Sequence, residues 1–222
     1  FSVKERDILN GVSFDILKGS RTVLFGENGC GKTTLLRLIS RLEKPTRGVI
    51  LQNIDDKFGQ KSKQSKKWYK KVGVVYQNPD YQLFMPTVEK EIKFGAKSSE
   101  FADEIAEKFG VKHLYARHPQ SLSEGQKRRV SIAAVVATAP EVLILDEPTV
   151  GQDYKGLCEM TEILNRIHEE TKNTMITVTH DKRCAAALCD RAVWIKDGKV
   201  RKTGGKELAE EFFKDPTGNA KN

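Results

Sequence analysis

The sequence predicts an α/β fold built on a largely parallel sheet, and three observations carry that prediction. Apolar, β-rich runs alternate along the chain with segments of helical spacing, the order expected of parallel strands joined by helical crossovers. A glycine-rich loop, Gly26 to Thr33, joins such a strand to such a helix. A second apolar strand, Val142 to Leu145, delivers two acids, Asp146 and Glu147, at its C-terminal end. That is the edge at which ligands of open α/β sheets bind.

Taken in order, Val12 to Ile16 alternates apolar and polar residues as a half-buried strand does, and Lys18-Gly19 turns the chain. Thr22 to Phe25 is a short β-rich run ending at Gly26. Lys32 to Leu42 carries Leu35, Leu36, Leu38, Ile39 and Leu42 at helical spacing, with Pro45 as its stop. Gly48 to Ile54 is expected as a strand and Val72 to Tyr76 as a buried one. Val88 to Ala96 and Ser99 to Phe109 predict the two amphipathic helices of a helical insertion. Ser123 opens a helix with an apolar face through Val130, Ile132 to Val136 and Ala139, closed by Pro140. A helix from Leu157 to Glu170 separates the strand at Val142 from another at Thr174 to Thr179. Arg191 to Ile195 and Lys199 to Thr203 read as a hairpin over Asp197-Gly198, and Glu207 to Lys214 as a last helix before a polar tail. No internal repeat is visible.

Composition bounds the function. At 222 residues, 38% hydrophobic and 31% charged, the chain suits one globular domain and excludes disorder. Its longest nearly apolar run, Val130 to Ala139, is about half of what a membrane-spanning helix needs. The net charge of +8 points to an anionic partner. Much of the excess lies at Lys57, Lys61, Lys63, Lys66, Lys67, Lys70 and Lys71, read as a solvated loop running into a basic helix, with a membrane-surface contact as the alternative. No strand-and-aromatic platform accompanies these lysines, so no nucleic-acid partner is expected. Cys30, Cys158, Cys184 and Cys189 form no C-x-x-C pair and no zinc spacing, as expected of a protein in a reducing cytosol. No secretory segment opens the chain, and Phe1 in place of a methionine suggests a short missing N-terminus.

Two motifs carry the chemistry. Gly26, Glu27, Asn28, Gly29, Cys30, Gly31, Lys32 and Thr33 match G-x-x-x-x-G-K-[ST], with Thr34 next to them. In such a loop the backbone N–H groups point inward around a phosphate, glycines permit the close approach, and the following helix adds the positive end of its dipole. Lys32 then reaches the β- and γ-phosphates of ATP and the Thr33 hydroxyl ligates Mg²⁺. Cys30 reads as a small filler of the loop rather than a nucleophile. Asp146 is placed to hold Mg²⁺ through water, and Glu147 to polarise the attacking water.

With these motifs in place, the chain resembles the ATP-binding cassette (ABC) family. Leu122-Ser123-Glu124-Gly125-Gln126 resembles its signature, Val74-Val75-Tyr76-Gln77 its Q-loop, Gly151-Gln152-Asp153 its D-loop and Thr179-His180-Asp181 its H-switch. All stand in the family's order and together span essentially the whole chain. The resemblance implies a P-loop NTPase (RecA-like) core with a mostly parallel sheet, an N-terminal antiparallel β part and an inserted α-helical subdomain. The core would take residues 1–77 and 140–210, the subdomain about 78–139 and a polar tail 211–222. It further implies that Gln77 touches Mg²⁺ and that His180 contacts the γ-phosphate and orients the water. Ser123, Gly125 and Gln126, with Asp153, would join the ATP site of a second cassette subunit. Ser123 at a helix start has the physical character of an anion site.

Two departures stand out. Glu124 replaces the first glycine of the signature, and an acid near a triphosphate weakens that composite site unless it points away. The aromatic expected to stack on adenine falls by spacing at Val3. Either Phe1 substitutes or the base packs on an aliphatic side chain, in which case GTP is tolerated. A narrower resemblance rests on Gln77-Asn78-Pro79-Asp80-Tyr81-Gln82-Leu83-Phe84, on Pro86 to Ile92 with Phe94-Gly95, and on Gln126-Lys127-Arg128-Arg129-Val130. These segments are similar to the ATPases of energy-coupling-factor importers of vitamins and of metal ions such as cobalt and nickel. That likeness implies an ATPase peripheral on the cytoplasmic face of the membrane. A membrane subunit would dock near Asn78, Tyr81, Leu83 and Phe84. The partner cassette is a second copy or a sister, the Glu124 departure favouring the sister. The alternative is a nucleotide-gated clamp on nucleic acid or ribosomes; such proteins carry two cassettes or a long coiled coil, and this chain has one motif set and no sustained heptads.

Overall fold

The structure is a computed structural model that describes residues 2–3, 6–51 and 68–214, with side chains from Ile8 onward and not for Tyr69. Phe1 and most of the lysine-rich stretch lie outside the described residues. The strands are β1 (Ser2–Val3), β2 (Arg6–Asp7), β3 (Arg21–Phe25), β4 (Val72–Val75), β5 (Val142–Asp146), β6 (Thr174–Val178), β7 (Arg191–Lys196) and β8 (Lys199–Gly204). The helices are α1 (Lys32–Ile39), α2 (Val88–Lys93), α3 (Ser99–Lys108), α4 (Glu124–Ala137), α5 (Tyr154–Thr171), α6 (Lys182–Leu188) and α7 (Lys206–Lys214). β1 and β2 pair antiparallel. The other six strands form one sheet in the order β4-β5-β6-β3-β7-β8, parallel except for β8.

The register explains why the site forms at one edge. Leu24 stands level with Val178, and Asp146 also stands level with Val178. The chain therefore leaves β3, β5 and β6 side by side, delivering the glycine-rich loop, Glu147 and His180 to the same rim. The strands are buried on both faces, as a covered parallel sheet requires. Residue alternation sorts them: Ile144, Leu24 and Ile176 pack with Leu35, Leu36 and Leu38 of α1, while Leu143, Leu145 and Met175 face the core shared by α2 to α5. Five helices open on side-chain caps: Thr87, Ser98, Ser123, Asp153 and Asp181 accept from backbone N–H groups of their first turns. The β7–β8 hairpin turns at Asp197 and Gly198, with φ of 48° and 70°, the left-handed pair of a type I′ turn.

Several sequence expectations need correction. Val12 to Ile16 is not a strand: its period-2 pattern is real, since Val12, Phe14 and Ile16 pack against the α1-side core, but no ladder partner pairs it among the described residues. Residues 48–51 are likewise not a strand, and 52–54 lie outside the described residues. The first helix ends at Ile39, because Arg41 turns left-handed (φ 62°) well before Pro45. α6 was not anticipated; it is a short segment with an Asp181 cap and little periodic signal. Phe212 is buried and α7 runs to Lys214, so no polar tail begins at 211.

Candidate active site

The glycine-rich loop links β3 to α1 and depends on its glycines in different ways. At Gly26 a Cβ would collide with the Ile195 carbonyl oxygen of β7 and come within 2.7 Å of the Cys30 sulfur. At Gly31, with φ 104°, it would meet Leu9 Cδ2 at 2.6 Å. The Lys32 ammonium donates to the carbonyl oxygens of Gly26 (2.8 Å) and Glu27 (2.9 Å), which holds its charge at the loop. Cys30 is buried, and burial pushes its thiol up from the ordinary value against the pull of Lys32, which disfavours the thiolate.

Glu147 follows β5 directly with φ 51°, a left-handed conformation that costs a non-glycine residue about 1–3 kcal/mol. Its N–H donates to Val178 O (2.9 Å), and its carboxylate meets His180: Oε1 lies 2.7 Å from His180 Nδ1 and Oε2 accepts from His180 N–H at 3.3 Å. Glu147 is buried and His180 is exposed, so an acid held inside is paired with a ring at the surface. Asp146 is buried too. Desolvation first, then the neighbouring Glu147, push it up to about 6; Lys32, Arg128 and Arg37 pull the other way. Thr33 and Asp146 line one small cavity with Tyr76 and Arg37. A hydroxyl and a carboxylate converging there are hard oxygen donors of the kind that suit Mg²⁺. Gln77 is exposed just beyond β4.

The remaining predicted residues stand on other elements. Ser123 caps α4 in a capping box: its Oγ accepts from Gln126 N–H (3.3 Å) while Gln126 Oε1 accepts from Ser123 N–H (3.1 Å). Because Oγ accepts in the cap, its O–H stays available to an outside anion. The Glu124 carboxylate turns along the helix to Lys127 Nζ at 3.3 Å, and Lys127 also binds Asp80 at 2.8 Å. Asp153 caps α5 through Gly156 N–H (2.7 Å). Glu27, Asn28 and Gly29 are exposed on the loop, and Thr34 lies in the first turn of α1. Of the residues expected at a docking surface, Asn78, Tyr81 and Phe84 are exposed, but Leu83 is buried in the core and is removed from that set. Val3 lies in β1 without a described side chain.

Sequence reasoning missed four side chains that build this region. Gln82 extends the edge of β4, accepting from Tyr76 N–H (2.8 Å) and donating to Val74 O (2.9 Å). Arg128 donates to the carbonyls of Tyr76 (2.8 Å) and Gln77. Glu91, buried on α2, accepts from Phe84 N–H (2.9 Å) and Met85 N–H (2.7 Å). Gln152 wedges beside Gly125 and Gly156, where a Cβ would come within 3.1 and 2.6 Å of its amide. Three basic residues in a row, Lys127 to Arg129, were the visible signal, since a surface helix has no need to bury two of them.

Comparison with known proteins agrees with this geometry. Residues 9–150 match the ABC transporter family. The chain is 40% identical over 216 residues to the energy-coupling factor transporter ATP-binding protein EcfA2 of Enterococcus faecalis, covering 90% of this chain and 73% of that one. It is 40% identical over 210 residues to EcfA2 of Bacillus subtilis, covering 90% and 76%. Among solved structures, cbiO1 of Clostridium perfringens, part of the ABC transporter complex cbiONQ, superposes with a TM-score of 0.78 at 33% identity, covering 93% of this chain and 85% of that one. The cassette MJ0796, in a dimeric post-hydrolysis state bound to ADP and Pi, gives 0.77 at 26% identity over 93% and 94%. With a glycine-rich loop, a buried acid pair and His180 on one rim of the sheet, the chain belongs to the ABC transporter family, as an ATP-hydrolysing cassette of the energy-coupling factor type.

Proposed function

We propose that this chain works with a second cassette, a copy or a sister, to power an importer of a vitamin or metal ion from the cytoplasmic face of the membrane. Among the described residues no helix is long and apolar enough to cross a membrane, so the translocation path would belong to a partner. The observation that carries the reading is the Glu147–His180 pair, 2.7 Å apart and beside Asp146 on the rim that holds the glycine-rich loop. In this reading the amides of Gly26 to Thr33 and the Lys32 ammonium grip the triphosphate. Thr33, Asp146 and Gln77 hold Mg²⁺, which neutralises phosphate charge when bound. Glu147 takes the proton of the attacking water, and His180 fixes the position of both. Ser123, Gly125 and Gln126 close on the partner's nucleotide, with Asp153 nearby and Glu124 turned away to Lys127. Closure moves α2 to α4, the proposed helical subdomain of about 78–139 on the core of 1–77 and 140–210.

The docking surface is supported by exposure. Tyr81 is 81% exposed, Phe84 66% and Phe94 58%, and the Phe84 and Phe94 rings meet edge to face with centroids 5.3 Å apart. An exposed aromatic cluster of that kind supports a docking role for this face.

Glu147→Gln keeps the backbone kink and loses the base. It is expected to bind ATP, lose at least about a hundredfold in turnover and accumulate an ATP-dependent dimer. Phe84→Ala is expected to lose co-purification with a polytopic membrane subunit. Normal turnover by Glu147→Gln, or undiminished capture by Phe84→Ala, sinks the corresponding half of the reading.

A further inference from the structure

Segment 76–80 does not stand free between the two halves of the site. It is bonded at three points to α4, the helix that Ser123 caps. Arg128 is 3% exposed; its Nη1 donates to Tyr76 O at 2.8 Å and its Nη2 to Gln77 O, a fork closed on two successive carbonyls. Lys127 Nζ binds Asp80 Oδ1 at 2.8 Å. Gln82 holds the same backbone to β4 from its other side. A fully buried guanidinium usually meets a carboxylate. Here it meets main-chain oxygens, and among the described residues its Nε has no partner. Desolvation holds its pKa below the ordinary guanidinium value, only partly opposed by the fields of Asp146, Glu124 and Glu147. Main-chain carbonyls cannot move alone, so the fork fixes the backbone of Tyr76–Gln77 to α4 rather than to any one side chain.

We infer that Arg128, backed by Lys127, is a positioning residue that couples the two nucleotide sites of the closed pair. α4 presents Ser123 and Gln126 to the partner's nucleotide. Five residues on from Ser123, about 7.5 Å along its axis, it grips the backbone carrying Gln77, which serves the chain's own site. Movement of the helix start by the partner's nucleotide carries Gln77 with it, and occupancy of one site is felt at the other. The inference rests on the two-cassette reading above.

The test uses the cassette with its partner and ATPase rate against ATP concentration. Arg128→Lys keeps the charge and loses the two-point fork. The Hill coefficient is expected to fall from about 2 towards about 1. kcat should drop between about twofold and thirtyfold, with KM nearly unchanged. Combined with Gln77→Ala, the loss in kcat should be less than the product of the single losses, because both act through Gln77. Asp80→Asn, which breaks the exposed end of the clamp, should lower cooperativity in the same direction with no change in melting temperature. It stands in if Arg128→Lys does not fold. Unchanged cooperativity in the folded variants, or losses that multiply fully in the double variant, overturns the inference. A wild-type Hill coefficient of about 1 without a trapped Glu147→Gln dimer removes the two-site reading, and this inference with it.

Discussion

The glycine-rich loop and the segment from Tyr76 to Met85 both carry irregular backbone off the same edge of the sheet, yet they are held by opposite means. The loop is shaped from within, by glycines whose missing Cβ atoms leave room for β7 and Leu9, and by Lys32 folded onto its own carbonyls. The second segment is shaped from outside. Gln82 and Arg128 take up the polar groups of Tyr76, Arg128 the carbonyl of Gln77, Asn78 the N–H of Asp80, and Glu91 the N–H groups of Phe84 and Met85. The first region keeps charge and donors that a ligand completes. The second is complete already, and so behaves as a rigid extension of α4 and α2.

The largest test of this contrast is steric. Gly26→Ala must displace the Ile195 carbonyl, and a backbone oxygen of a paired strand has nowhere to go. Among the described residues Gly29→Ala meets no atom within 4 Å and pays only for a left-handed φ of 78°. Thermal melting without nucleotide is expected to show a loss of about 3 kcal/mol or more for Gly26→Ala, against about 1–2 for Gly29→Ala. Equal losses would mean that the loop is set by local conformation alone and not by its seat against β7.

A smaller effect, of the opposite sign, separates a region built for a ligand from one that is self-sufficient. Asp146 titrates at about 6 in the fold against 3.8 as its ordinary value. Its protonated form therefore stabilises the fold fully below about pH 4, and that contribution is lost as pH rises through about 6. Asp146→Asn cannot ionise. Without nucleotide it should be more stable than wild type above about pH 6, by about 1–3 kcal/mol, with the gain fading between pH 6 and 4. A gain that does not vary with pH would assign the effect to shape and not to buried charge.

The same contrast explains what could be read from the sequence. The glycine-rich loop was legible because its geometry restricts residue type at fixed spacing: Gly26, Gly31 and Lys32 are each demanded by backbone or phosphate. The acids were legible because Val142 to Leu145 is apolar without a break and Asp146 is not. The parallel core and its helices followed from periodicity, which reports burial. Periodicity does not report pairing, which is why Val12 to Ile16 alternates like a strand and pairs with none among the described residues. Glu91 and Gln82 left no pattern, and for Arg128 the basic run Lys127 to Arg129 showed that something was bound but not what, since these side chains bond backbone 7, 6 and 51 residues away, and backbone carries no residue identity. Leu83 was misplaced for a related reason: apolar residues behind a turn read alike whether they face a partner or the core, and only tertiary packing separates Leu83 from Phe84.

The most local expected effect concerns Glu91, and it asks whether the Tyr76–Met85 segment owes its order to side chains at all. One oxygen, Oε2, accepts both Phe84 N–H and Met85 N–H, so a single buried acceptor holds the turn that displays Phe84. Removing it in Glu91→Ala leaves two amides without their partner, at a cost of about 1–3 kcal/mol. Glu91→Gln keeps an acceptor of the same shape and should recover part of it. Hydrogen exchange localises the answer. Phe84 and Met85 amides should lose protection in Glu91→Ala while the amides of β4 and α1 keep theirs, and nucleotide affinity should not change. If exchange rises through α4 and the glycine-rich loop as well, the two regions open as one unit and the distinction between an externally held segment and a self-shaped loop fails.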